Sequence, residues 1–255
     1  MIGRNLEQLQ PLFASWDETM IWSCLQGCMG QAWADNAAAP HSAQILSADF
    51  CFFAGEPNAE LLRNRQGKEF LIFIPQNDAW AALLESIYAN HCKRVTRYAI
   101  RKEADVFDRE RLRQLTALPD DAYRMQMIDE TLYRQALSQE WSRDWCSAFA
   151  NWEEYRTHGL GVAALYKDQL AAGASSYLYY RGGIEIQVNT AASFRKRGLA
   201  AACSARLILE CLDRGLYPSW DAQNLMSVGL AEKLGYHFSH SYRAYEVYGE
   251  EITAT

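Results

Sequence analysis

Ile184-Glu185-Ile186-Gln187-Val188, a short polar link from Asn189 to Ser193, the turn Arg195-Lys196-Arg197-Gly198-Leu199-Ala200, and the run Ala201 to Asp213 follow in that order. The first piece reads as a strand and the last as an unbroken helix, with a basic, glycine-bearing turn between them. The first N–H groups of a helix have no intrahelical partner, and the helix dipole adds partial positive charge there. A glycine lets the backbone approach a bulky anion, and Arg195, Lys196 and Arg197 supply formal charge beside it. Such a turn is suited to a pyrophosphate or a similar anion.

The spacing matches neither the Walker lysine loop nor the dinucleotide Gly-x-Gly-x-x-Gly pattern. It resembles the acyl-CoA loop of the GNAT N-acetyltransferases, Gln/Arg-x-x-Gly-x-Gly/Ala, with Arg195, Gly198 and Ala200 at the fixed positions. Downstream, a short strand from Leu216 to Trp220 and the link Asp221-Ala222-Gln223 lead to Asn224 and the helical run Leu225 to Leu234, closed by Gly235-Tyr236. That segment resembles the family's second CoA motif, Asn-x-x-Ser/Ala-x-x-Leu-x-x-Lys-x-Gly-Phe/Tyr. Further pieces resemble the subfamily that includes the zwittermicin A resistance protein: Ser175-Ser176, Thr190, Trp220-Asp221, Gly27-x-Met29-Gly30, Asp35-Asn36 and Pro40-x-Ser42-Ala43.

The resemblance implies an α/β GNAT fold, a mixed central sheet flanked by helices, and acetyl-CoA as co-substrate. It places the pantetheine arm against the backbone of Val188, Asn189 and Thr190. It seats the diphosphate on the N–H groups of Lys196, Arg197, Gly198, Leu199 and Ala200, beside the Arg195 and Arg197 side chains, and brings Asn224 and Ser227 to the pantetheine or thiol end. The chemistry implied is direct attack of an amine on the acetyl carbonyl, with N–H groups near Val188 polarising it. An alkylammonium has no lone pair, so a base must take its proton. Glu185, just upstream of the loop, stands where the family often places that base; an exposed strand residue is its other reading. The tyrosine many members carry seven residues after the motif Asn is replaced by Ala231, and Tyr236, Tyr242 and Tyr245 are the nearest substitutes in sequence. The missing tyrosine also leaves room for a non-catalytic acyl-CoA sensor of the same fold.

Composition bounds these readings. The chain has 255 residues, 49% of them hydrophobic, enough for two modest cores. A net charge of −6 gives no basic field for nucleic acid or anionic membrane, so the basic cluster suits a small ligand. The 7 cysteines form no Cys-x-x-Cys pair, which suggests a reduced, cytoplasmic chain. Cys203 falls on an apolar stripe and reads as a buried thiol. No signal peptide and no run long enough to span a bilayer stand out. His158 and His237 lack ligand-spaced companions, so no metal site is expected. The expected partner is a small-molecule amine, and a homodimer is compatible with the pattern.

Residues 1–104 read as an N-terminal α/β domain and 105–255 as the acetyltransferase domain. In the first, strands are expected at Gln31–Ala34, Ile45–Ala54, Phe70–Ile74 and Lys93–Arg101, with a helix capped by Asn77 or Asp78. That order repeats the one after Ile184, so the front half reads either as a degenerate GNAT-like repeat or as a coincidence of α/β alternation. Its Gly55-Glu56-Pro57 turn is acidic and would repel phosphate. In the second, helices are expected at Asp108–Ala117, Ala122–Gln139, Trp141–Ala150 and Trp152–Thr157. The resemblance implies that such helices flank the substrate opening, so Trp145, Phe149, Trp152 and Glu153 are candidates to line it, the other reading being helices that cap the sheet. Hairpins are expected at Gly161–Tyr180 and His237–Tyr248, and a frayed tail from Glu250.

Overall fold

A computed structural model describes residues 6–249, which form two compact units. The first runs to Arg97 and resumes at Ser241; the second is Tyr98–His240. The units thus divide at 97/98 rather than at 104/105, and residues 241–249 go with the first unit. The tail expected from Glu250 lies outside the described residues.

The first unit opens with α1 (Gln10–Phe13) and α2 (Thr19–Leu25). It continues with β1 (Gln31–Ala34), β2 (Ser42–Ser47), β3 (Phe50–Gly55), α3 (Ala59–Arg63), β4 (Phe70–Pro75), α4 (Asp78–Tyr88) and the start of β5 (Cys92–Ile100). β1, β2 and β3 are antiparallel neighbours, and β4 lies parallel to β3 after the α3 crossover. Asn77 caps α4 by accepting from the Trp80 N–H at 3.1 Å, as its residue type predicts. Phe53, Phe73, Trp80 and Leu84 are buried in one core between the helices and the sheet.

The strand expected from Ile45 to Ala54 is two strands. Ser47 pairs with Phe50, so Ala48-Asp49 form a two-residue hairpin loop with Ala48 at φ 49°. Such loops favour Asn or Gly at positive φ, and an alanine there carries no sequence signal.

The second unit contains α5 (Arg109–Leu115), β6 (Tyr123–Met127), α6 (Glu130–Leu137), α7 (Trp152–His158), β7 (Gly161–Tyr166), β8 (Gln169–Tyr180) and β9 (Gly183–Thr190). After these come α8 (Leu199–Asp213), β10 (Tyr217–Ser219), β11 (Asp221–Ala222) and α9 (Leu225–Leu234). Its main sheet has the order β10-β9-β8-β7-β6. All neighbours are antiparallel except β10, which runs parallel to β9. Leu199, Cys203, Leu207 and Ile208 of α8 are buried in one core with Ile184 and Ile186 of β9. Both units therefore run from antiparallel strands, three in the first and four in the second, through a crossover helix into a parallel strand.

Three expectations fail locally. The helix drawn from Ala122 to Gln139 is instead the edge strand β6, paired from Tyr123↔Tyr166 to Met127↔Val162, followed by the shorter α6. Asp129 starts that helix by accepting from the Leu132 N–H at 2.9 Å, which places the strand-to-helix switch in the middle of the predicted run. Trp141–Ala150 contains only a 3₁₀ turn at Arg143–Trp145. The final hairpin is one strand, β12 (Phe238–Tyr248), whose Tyr245–Tyr248 pair antiparallel with Phe70–Phe73 of β4. Ser239-His240-Ser241 contains no glycine or proline to turn the chain.

Candidate active site

The basic turn lies where the strand-to-helix reading puts it. β9 ends at Thr190, a 3₁₀ turn spans Ala192–Phe194, and α8 starts at Leu199 with Gly198 as its N-cap at φ 82°. Lys196 is also left-handed, at φ 61°. Alternation of left-handed residues is the backbone from which anion-binding concavities are made. A non-glycine residue in that region costs about 1–2 kcal/mol, so Lys196 marks local strain of the kind that clusters at functional sites.

The start of α8 differs from those of its neighbours. α3, α4, α5, α6, α7 and α9 each take an Asn or Asp side chain as cap; α8 takes none. Its first backbone bond is from Ala202 N–H to Gly198 C=O, 3.0 Å. The N–H groups of Leu199, Ala200 and Ala201 precede that bond and lack an intrahelical acceptor.

The cations around the turn are differently committed. Arg197 is held by the Tyr123 hydroxyl at 2.9 Å and the Ser193 carbonyl at 3.2 Å, with its guanidinium 5.6 Å from the Phe194 ring. Arg195 makes one long contact, Nε to the Thr190 carbonyl at 3.4 Å, and Lys196 makes no hydrogen bond or ion pair to a described residue. Arg197 is therefore tied into the turn, while Arg195 and Lys196 keep most of their donors uncommitted.

The neighbouring strand edge is open. β10 pairs with β9 only from Tyr217↔Gly183 to Ser219↔Glu185, whereas β8 follows β9 to Ala172↔Thr190. The stretch containing Val188, Asn189 and Thr190 thus has a strand on one side and, among the described residues, none on the other. In the first unit the equivalent parallel pair stays closed. β3 and β4 pair to Phe53↔Pro75, and Gln76 extends the zipper with its N–H on the Phe53 carbonyl and its side chain on the Gly55 N–H.

Strand alternation puts Ile184, Ile186 and Val188 on the α8 side and Glu185, Gln187 and Asn189 on the other. Glu185 is only 3% exposed, beside the last β10 pairing, so it is not the exposed strand residue of its alternative reading. Asn189 Oδ1 accepts from Trp145 Nε1 and from Gln187 Nε2, both at 3.1 Å. Opposite Asn189 stands Gly173, where a Cβ would lie 2.5 Å from the Trp145 ring. A glycine inside a strand signals such a close approach, and this was the available clue to the Trp145 position. We expect Gly173→Val to cost about 3 kcal/mol by overpacking. Thermal unfolding should show a Tm lower by roughly 10 °C.

Around Trp145 the polar groups are structural. Ser175 and Ser176 are fully buried; Ser175 donates to the Trp145 carbonyl at 2.8 Å and shares a 2.8 Å bond with the Tyr155 hydroxyl, while Ser176 donates to the Leu160 carbonyl. Phe149 is buried against Tyr155 at 5.0 Å, Trp152 is half-buried beside the Tyr133 ring, and Glu153 is exposed and paired with Arg156.

The second motif is built as a capped helix. Asn224 Oδ1 accepts from the Ser227 N–H at 3.0 Å, and Ser227 Oγ accepts from Trp220 Nε1 at 3.0 Å. Leu225 and Met226, between them, are 68% and 82% exposed. Ala231 is fully buried, so the departure at that position leaves no polar group there. Tyr236 donates to the Pro218 carbonyl at 2.6 Å, and burial pushes its hydroxyl well above the usual tyrosine range, with further contributions from neighbours including Glu185. Tyr242 and Tyr245 belong to the other unit, where Tyr245 is bonded to Glu85 and raised to about 12, first by desolvation. Cys203 is fully buried and also pushed up to about 12, as a structural thiol would be. Among the described residues no group of three His, Cys, Asp or Glu side chains could hold a metal, and no helix is long and apolar enough to cross a membrane.

A model of the GNAT acetyltransferase family matches residues 10–245. The chain is 44% identical to a GCN5-related N-acetyltransferase-like protein from Streptococcus suis, with a TM-score of 0.91 over 95% of this chain and 98% of that one. It is 25% identical over 247 residues to the uncharacterized N-acetyltransferase YdfB of Bacillus subtilis, covering 89% of each chain. A putative acetyltransferase from Novosphingobium aromaticivorans, 20% identical, shares the fold at a TM-score of 0.51 over 84% of this chain and 92% of that one.

Proposed function

The chain belongs to the GNAT acetyltransferase family, and from that premise we propose that it transfers an acetyl group from acetyl-CoA to the amine of a small molecule by direct attack. The observation that carries the reading is the uncapped start of α8 behind the open edge of β9. The residues fit the co-substrate: unpartnered N–H groups and two uncommitted cations suit a diphosphate, and an open strand edge suits the amides of an extended pantetheine arm. Acetyl-CoA supplies the activated thioester; the chain orients it and handles the proton. Val188, Asn189 and Thr190 hold the arm, Lys196 to Ala200 and Arg195 the diphosphate, and Asn224 and Ser227 the thiol end.

Glu185 is the proton acceptor in this reading. At about 3.3 Å per residue, its Cα lies roughly 10 Å down the strand from Val188. A glutamate side chain does not cover that distance, so water relays the proton. Release of CoA thiol from acetyl-CoA in the presence of an amine panel tests the proposal. The net charge of −6 favours small amines over nucleic acid or anionic membrane. The likeness to zwittermicin A resistance-type enzymes favours an amino-bearing antibiotic or metabolite.

A second reading, an acyl-CoA sensor, is favoured by one observation. Ala231 offers no acid, and the Tyr236 hydroxyl is committed to Pro218. Acetyl-CoA binding with no thiol release across a broad panel would select it. Under either reading the closed β3–β4 pair predicts a single site: calorimetric titration should give one CoA per chain, not two.

A further inference from the structure

Resting on the acetyltransferase reading, we propose that the Asn189 side chain sets acceptor specificity, selecting amines that carry a hydrogen-bond-accepting oxygen such as a carbonyl. An asparagine amide can in principle point either way, but this one is fixed. An indole N–H can only donate, so the atom facing Trp145 Nε1 must be the oxygen. Gln187 Nε2 donates to the same oxygen, and both bonds are 3.1 Å. Trp145 is fully buried, and it reaches the sheet only because Gly173 has no side chain. The amide is thus clamped by its acceptor end.

Its donor end is unspent. Nδ2 makes no hydrogen bond to a described residue, and Asn189 is half-buried rather than sealed. It stands beyond the last β10 pairing of β9, on the face shared with Glu185 and Gln187. Two oriented N–H groups beside the acyl-transfer edge call for an acceptor oxygen. A site built around such donors discriminates against an analogue lacking the oxygen, because the donors lose water without gaining a partner.

The test compares glycine dimethylamide with 3-methylbutylamine, which has a similar shape and lacks the carbonyl. With each rate expressed per free-base amine, because the α-carbonyl makes the amide's ammonium the stronger acid, we expect kcat/KM to favour the amide at least tenfold in the unmodified chain. Asn189→Asp keeps an acceptor for Trp145 and removes the N–H donors, so the preference should shrink to about threefold or less. Any effect of the new charge on the ammonium is common to both amines and leaves their ratio unchanged. Asn189→Ala also lacks the donors and serves if the Asp variant misfolds. An equal ratio in variant and parent, or no preference in the parent, overturns the proposal while acetyl transfer stands. If the parent turns over no amine at all, the acetyltransferase reading falls and takes this one with it.

Discussion

Gly198→Val combined with Arg195→Ala should weaken acetyl-CoA binding roughly a hundredfold while the chain stays folded. Two effects add. Valine at φ 82° is strained by about 1–2 kcal/mol, and relieving that strain rotates the first N–H groups of α8 away from their present directions. Removing Arg195 deletes a charge-assisted bond to phosphate, about 1.5–3 kcal/mol. Together they approach 3 kcal/mol or more, which is about two decades in Kd. Folding should suffer little. A Cβ at 198 meets nothing within 4 Å, and Arg195 is exposed with only one long internal contact. The Tm should fall by only about 5 °C. Calorimetry for affinity and a melting curve for stability separate the two effects. Unchanged CoA affinity in the folded double variant would remove the diphosphate seat, and the acetyl-transfer proposal with it.

The parts of this site that were legible are the ones encoded locally. A basic turn, a glycine at positive φ and an asparagine that caps α9 all act within a few residues, so spacing alone locates them. What stayed hidden depends on partners distant in the chain. Trp145 and Asn189 are 44 residues apart, and no local pattern tells a buried indole which amide it will meet. The fate of β12 is of the same kind. Alternation marks it as a strand, but whether it pairs with β4 or closes the second unit is a choice between distant edges. The β6 error has another cause: Tyr123–Met127 and Glu130–Leu137 are adjacent, and a helical period drawn through both hid the Asp129 cap between them. The front half shows the limit of composition. The acidic Gly55-Glu56-Pro57 turn argues against phosphate, but the closed β3–β4 pair is the stronger reason, since it leaves no edge for a pantetheine arm.

Glu185→Gln should lower kcat by about 10²- to 10³-fold with little change in acetyl-CoA affinity. General base catalysis is worth 10²- to 10⁴-fold, and a base acting through water belongs in the lower part of that range. The amide matches the carboxylate in size, so the packing of a side chain only 3% exposed should survive. The proposed diphosphate seat lies beyond Thr190, well up the strand from Glu185, which is why binding and turnover should separate. A merely structural role predicts the reverse pattern, a lower Tm with kcat per folded molecule unchanged. Each outcome therefore moves the measurement that the other leaves unchanged. Full turnover in the Gln variant would move the proton-accepting role elsewhere, with desolvation of the amine in its pocket as the remaining means of freeing a lone pair. The same measurement bears on the leaving group. Ala231 offers no acid and the Tyr236 hydroxyl is committed to the Pro218 carbonyl; if solvent protonates the thiolate and that step limits turnover, the Glu185→Gln loss falls below the range above.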